Sequence, residues 1–429
     1  MKIKKKILCI GVFVAVLMFI AALSGLSVEK KFAGIELTVW EFKGGEYQGF
    51  AKLCKEFEQQ TGIKLIIESL DYSRLQQKQI IASQAGTLPD LMEAHVTNLV
   101  DSFVSKGYLI PLDDYIEKEG SGFLDKFIPH CVERLRYSGK IYGILENFAP
   151  QGIYYNKKMF AEAGIAGPPE TWDEFKDFAI RMTNLEKNQY GAGFPGISGD
   201  KALIHVAAMV YANKGRLGVV NGEIMINKPE AVEAIQFQMD LINKYKATTS
   251  YVDLDSPPLR EMFIAGQVGM IEEGGWMTGI IEQKKAPDFE YGIAMMPSGK
   301  TTGGLASYDA SWVIPVTSKH PDAAWEFIKF FTSEEANYLR ALAGIMPSTI
   351  ATYERTDIQN NETLKVLGKQ GSVPNTYDPR EYIPLPRAEA LEVVKQGFQK
   401  AALGVLSVQQ AMDEIAKEWE KMLQKNKIE

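Results

Sequence analysis

A chain of 429 residues that is 46% hydrophobic and 24% charged has the composition of an ordinary globular protein, with length for two or three domains and a sizeable core. Its formal net charge of −7 supplies no basic face, so nucleic acid is excluded as an expected partner. Its four histidines are scattered and form no cluster with cysteine at zinc-ligand spacing, so neither a metal nor another cofactor is expected.

The chain opens with Lys2, Lys4, Lys5 and Lys6, followed by an unbroken apolar run from Ile7 to Leu23 and small residues around Ser24. This is the pattern of a secretory signal over 1–24 or, left uncleaved, of an N-terminal anchor. Either way the body of the protein is expected outside the cytoplasmic membrane, in a periplasm or at the cell surface. An oxidising compartment permits a disulfide between Cys54 and Cys131. Cys54, however, sits on an apolar helix face and reads as core filling.

From Ile35 to Trp40 apolar and polar residues alternate, which predicts a strand. Phe50, Leu53, Cys54 and Phe57 recur at helical spacing before Gly62, and Ile63–Glu68 reads as the next strand. A helix over Leu75–Ala85 and a strand over Asp90–Ala94 repeat the order. Strand, helix, strand with short connections is a βαβ unit, so the spacing predicts an α/β lobe on a parallel sheet. Ligands of such sheets sit beyond the carboxyl ends of the strands. Here those ends are Trp40-Glu41-Phe42, Asp71-Tyr72 and Glu93-Ala94-His95.

Strand segments follow around Asn147–Pro150, ahead of Tyr154-Tyr155-Asn156-Lys157. Thr171 and Glu174 form a capping box for a helix burying Trp172, Phe175, Ala179 and Met182, and Pro229 starts another helix. Val268–Ile271 reads as a short buried strand that breaks at Gly274-Gly275 and presents Trp276; a Gly-Gly pair leaves room for a ligand to approach. Glu272-Glu273 reads as solvated charge. Strands over Tyr291–Met296 and Ser311–Pro315 flank a Gly/Ser/Thr-rich stretch, Ser298–Gly304. A helix with Pro321 in its first turn follows. Ser407 and Gln410 cap a last helix, whose inner face carries Ala411, Ile415, Trp419 and Met422.

The small-residue turn before Trp276, Gly303-Gly304, the run Ser318–Phe327 (SKHPDAAWEF) and the YYNK run together resemble the extracellular solute-binding proteins of carbohydrate ABC importers, the maltose-binding-protein-like group. The resemblance covers nearly the whole chain after the signal. It implies an α/β periplasmic-binding-protein type II fold, with two hinge-connected α/β lobes around a ligand cleft. It also implies discontinuous lobes, 35–147 plus 303–333 and 148–302 plus 334–429. The chain departs from the family pattern where Ala149-Pro150-Gln151 stands in place of an acidic residue before the YN motif, so maltose itself is not implied. Many relatives also carry a lipid-anchoring cysteine after the apolar run; here the nearby one is Cys9, at its wrong end.

Sugars need aromatic faces for their C–H surfaces and charged or amide groups for their hydroxyls. The strand ends and turns offer that mixture in Trp40, Glu41, Asp71, Tyr72, Glu93, His95, Gln151, Gly275, Trp276, Tyr308 and Asp309. Tyr382 and Arg387 lie where family members often close the cleft. The expected activity is reversible binding of a mono-, di- or oligosaccharide by a monomer, which delivers it to a membrane permease with ATPase subunits. Glycerol phosphates, peptides or polyamines are the alternative solutes. A secreted carbohydrate-active enzyme is the rival class: acidic pairs such as Glu41 and Glu93 are available, but the chain carries no G-x-S-x-G elbow, HExxH or P-loop.

Overall fold

The computed structural model describes residues 31–42, 48–96, 99–148, 150–249, 251–305, 310–373, 376–377 and 385–426; the segment 1–24 and Tyr308, Asp309 and Tyr382 lie outside them. In strand β1 (Glu36–Phe42), Leu37, Val39 and Glu41 point to one face and are buried, while Thr38 and Trp40 on the other are half-buried. Helix α1 (Gln48–Thr61) turns Leu53 and Phe57 inward, and β2 (Lys64–Leu70), α2 (Tyr72–Ala85) and β3 (Leu91–His95) follow. β1 pairs in parallel with both β2 and β3, as the βαβ spacing predicts.

After the short β4 (Ile144–Leu145), the chain leaves this unit through β5 (Asn147–Phe148) and builds a second one. Its elements are β6 (Gln151–Asn156), α3 (Trp172–Met182), β7 (Tyr190–Gly193), α4 (Gly199–Ala212), α5 (Ser256–Ile264), β8 (Val268–Gly274), α6 (Trp276–Lys284) and β9 (Tyr291–Ala294). Both halves of the expected capping box are present at α3: Thr171 accepts from the Glu174 backbone, and Glu174 accepts from that of Thr171. The chain then returns for β10 (Ala310–Val313), α7 (Pro321–Phe331) and α8 (Glu334–Leu342). It passes through β11 (Met346–Pro347), antiparallel to β5, and ends in α9 (Arg387–Ala402) and α10 (Val408–Asn426).

The two principal sheets are mixed. The first has the order β2-β1-β3-β10-β4, with β10 antiparallel to both neighbours; the second has the order β9-β6-β8-β7, with β6 antiparallel to both of its neighbours. β10 arrives from the second unit without a βαβ crossover, so nothing holds it parallel to β3. Each sheet has its own core. Around the first, Trp312 meets the edge of Phe327 at 4.9 Å, and Phe327 stacks on Phe331 at 3.9 Å. This core also takes in Ala336, Ala341, Ile345, Leu364 and Leu367. Around the second, α4 buries every residue from Ala202 to Ala212, as a helix apolar on all sides must. Trp419 of α10 lies in that core and donates its indole N–H to the Ala390 carbonyl at 3.2 Å. Cys54 and Cys131 are both free thiols, with Cys131 buried and Cys54 half-buried.

Candidate functional site

At the carboxyl end of the first sheet the backbone parity of β1 sends Glu41 to the core side, where it accepts a hydrogen bond from Ser69 Oγ. Glu93 on β3 accepts the Phe42 N–H at 2.6 Å and lies near Glu146, which follows β4. Arg340 of α8, fully buried, donates Nε to Glu146 Oε1 at 2.8 Å, Nη2 to the same oxygen and Nη1 to the Phe331 carbonyl at 2.6 Å. Burial, with Glu146 and Glu41 nearby, pushes the Glu93 carboxyl well above the usual range. His95 lies edge-on to Phe42 at 4.4 Å; burial, helped by the Lys201 charge, pushes its imidazole down to about 3.

Three residues predicted at this end of the sheet lie away from the group. Trp40 is on the opposite face, with the Lys78 ammonium of α2 3.9 Å from its ring centre. Asp71 is exposed at the position preceding α2 and makes no side-chain cap bond, and Tyr72 opens that helix.

The second sheet contributes a denser group. Lys201 and His205, one turn apart on α4, are the only basic residues of that helix, which is largely apolar after Asp200. His205 Nδ1 lies 3.3 Å from Glu272 Oε2 on β8. Burial, then the Lys201 charge, pushes His205 down to about 3. Burial, then Glu273, pushes the Glu272 carboxyl well above its usual range. Glu273 behaves in the opposite way. Burial raises its pKa, but the Arg260 guanidinium, 2.6 and 3.0 Å away through Nε and Nη2, outweighs this and holds the carboxyl below its usual range. β8 extends through both glutamates, so the reading of Glu272-Glu273 as solvated charge is corrected: both are buried, Glu273 paired with Arg260 and Glu272 beside His205.

Trp276, half-buried, opens α6 and donates its indole N–H to Glu273 Oε2 at 2.7 Å. Its ring lies over Gly274, where a Cβ would come within 2.3 Å of it. Gln151 is the cross-strand partner of Gly274, and its buried Oε1 has no hydrogen-bond partner among the described residues. Arg387 opens α9 and donates Nη2 to Asp200 Oδ1 at 2.9 Å, joining the starts of α9 and α4. The room expected beside Gly275 is taken by the chain itself: a Cβ there would sit 2.0 Å from the Gly344 carbonyl oxygen. Gly275→Ala is therefore expected to cost about 1–3 kcal/mol through overpacking against backbone, read by urea unfolding.

The Lys201 charge bears on His95 of the first unit and on His205 of the second. The structure brings His95, Gln151, Trp276 and Arg387 into this region with Lys201, Arg260 and Glu273. Sequence reasoning missed the last three and His205. The legible signal was a lysine and a histidine at i, i+4 on a helix otherwise apolar after its first turn.

The sequence model described as "Bacterial extracellular solute-binding protein" matches residues 43–338. A binding protein of Brucella abortus is 30% identical over 308 residues, 70% of this chain and 72% of that one. The chain belongs to the bacterial extracellular solute-binding protein family. A maltotriose-binding protein of Pyrococcus abyssi is 25% identical over 345 residues, covering 78% of this chain and 71% of that protein. The crystal structure of an ABC transporter solute-binding protein from Thermotoga lettingae, bound with α-D-tagatose, superposes with a TM-score of 0.83 at 24% identity, over 91% of this chain and all of that one.

This solute-binding protein thus has the α/β periplasmic-binding-protein fold, and its family is extracellular and non-enzymatic. Among its described residues no helix is long and apolar enough to cross a membrane, and no group of three His, Cys, Asp or Glu is placed to hold a metal ion.

Proposed function

We propose that this solute-binding protein binds a sugar, a mono-, di- or oligosaccharide, between the ends of its two sheets. In this reading it delivers the sugar to an ABC importer permease. The observation that carries it is the Gln151–Trp276 corner. There a half-buried indole is held by Glu273 and Arg260, beside a buried amide oxygen that has no partner among the described residues. A fixed aromatic face suits the C–H surface of a sugar ring, and an amide can both donate to and accept from hydroxyls. The relatives named for maltotriose and solved with tagatose support the same class of solute. Two lobes, one on each core, close on the solute by a hinge at β5 and β11, the solute favouring the closed form through contacts it makes better there.

The test is a thermal-shift screen of the mature chain against sugars, amino acids and polyamines. A true ligand at a hundred times its Kd adds about 2.7 kcal/mol of stability. The expected result is a shift with one sugar class and its unchanged recovery by chromatography. A shift with polyamines or amino acids alone, or turnover of the sugar, overturns the reading. Deleting the gene should also abolish uptake of that sugar.

A further inference from the structure

One buried group in the second unit lacks the hydrogen bonds its chemistry calls for. The register of β6 against β8 sets Gln151 opposite Gly274 and Ile153 opposite Glu272. Directly opposed residues project to the same face of a sheet, so the side chains of Gln151 and Glu272 are diagonal neighbours on one face. Ile153 and Met270 put that face in one core with Leu203 and Val206 of α4. From the same helix, His205 brings Nδ1 to 3.3 Å from Glu272 Oε2. A Cβ on Gly274 would point to this face too and would meet the Trp276 ring at 2.3 Å, so the ring covers the face just beyond Glu272.

Four polar atoms of this group are enclosed and make no hydrogen bond among the described residues: Gln151 Oε1, Glu272 Oε1 and Oε2, and His205 Nδ1. The three residues are only 1%, 2% and 4% exposed, so bulk water does not serve them. Among the described residues Glu272 is the one glutamate with both carboxyl oxygens in that state. The next residue, Glu273, projects to the other face and shows the contrast: Arg260 and the Trp276 indole take up its oxygens. Buried polar atoms without partners cost stability, so a set of four calls for a group that hydrogen-bonds to them. Three of the four are carboxyl or amide oxygens, and what meets them must bring donors, as the hydroxyl groups of a sugar do.

We propose that Glu272 is a specificity-determining residue of the solute site: with Gln151 it accepts hydrogen bonds from two adjacent free hydroxyl groups on the edge of the sugar ring that stacks on Trp276. This rests on the reading of the Gln151–Trp276 corner as the solute site, and it narrows the solute. The enclosure of the polar atoms sets the limit. A ring edge can meet them only if its hydroxyls carry no further sugar or other substituent, so the ring is a monosaccharide or the terminal unit of an oligosaccharide. Trp276, half-buried beside the enclosed set, takes the face of the ring while Glu272 and Gln151 take its edge.

The test compares the mature wild-type chain with Glu272→Met, which removes both oxygens, and with Glu272→Gln, which keeps one. Without ligand, Glu272→Met should unfold in urea at a midpoint no lower than wild type, because the atoms it removes have no hydrogen bond to lose. Calorimetric titration with the sugar returned by the thermal-shift screen should show affinity lowered about tenfold or more in Glu272→Met, and less in Glu272→Gln. Monodeoxy analogues of that sugar identify the hydroxyl. Wild type should discriminate against one of them by a similar factor, while Glu272→Met should bind it and the parent sugar within about twofold of each other. The sugar O-methylated at that position should not bind wild type. A lowered midpoint with unchanged affinity would make Glu272 a structural residue and overturn the proposal. Discrimination that persists in Glu272→Met, or binding of the O-methyl sugar, overturns it as well. Should Glu272→Met fail to fold, unchanged discrimination in Glu272→Gln is the overturning result. A screen that returns no sugar overturns the sugar reading and this inference together; a sugar bound equally by wild type and Glu272→Met overturns this inference alone.

Discussion

Arg340→Met is expected to destabilise the protein by about 3–5 kcal/mol, the range found when one partner of a buried ion pair is removed. The side chain is fully buried and is the counter-charge of Glu146, as well as the donor to the Phe331 carbonyl at the end of α7. Without it, the Glu146 carboxylate loses its counter-charge out of water, while the Phe331 carbonyl loses a donor. The double variant Arg340→Met/Glu146→Met should recover a large part of the loss, because apolar side chains of similar volume avoid the desolvation cost of both charges. Urea unfolding of the two variants checks this. A single variant within about 1 kcal/mol of wild type would show that the Glu146–Arg340 bridge carries little of the fold's stability.

The sequence showed more of the fold than of the site, for identifiable reasons. Elements whose burial repeats at a fixed period were legible: Leu37 and Val39 on β1, Leu53 and Phe57 on α1, Phe175 and Ala179 on α3. Local hydrogen-bond chemistry was legible too, at Thr171 with Glu174 and at Ser407 with Gln410, whose side chains exchange the expected bonds. What stayed hidden depends on which elements meet. Glu41 and Glu93 stand at strand ends, as expected, but both are buried, Glu41 accepting from Ser69 and Glu93 from the Phe42 N–H. Glu272-Glu273 reads as a solvated pair because a sequence shows like charges and not the arginine and histidine that α5 and α4 bring to them. The antiparallel entry of β10 belongs to the chain's return from the second unit, which no local pattern encodes.

Trp276→Ala is expected to weaken sugar binding by about 2 kcal/mol, the loss of a hot-spot aromatic and roughly thirtyfold in Kd. Placement at the first position of α6 leaves the ring half-buried instead of enclosed, and the ring lies over Gly274 next to Gln151. Its orientation is set from behind: the indole N–H is held by Glu273, which Arg260 holds in turn. Such an arrangement loses little freedom when a sugar ring settles on the face, which is the advantage of a preorganised contact. The ring also touches the edges of two apolar cores, so the ligand-free protein should lose some stability, but less than the roughly 3–5 kcal/mol of a fully enclosed tryptophan. Glu273→Gln keeps an acceptor for the indole but removes the partner of Arg260, and should weaken binding less than loss of the ring itself. Calorimetric titration with the sugar found by the screen, run beside unfolding of the ligand-free variants, separates the two roles. Intact affinity in Trp276→Ala would remove this residue from the site; intact affinity with a large loss of stability would assign it to the core.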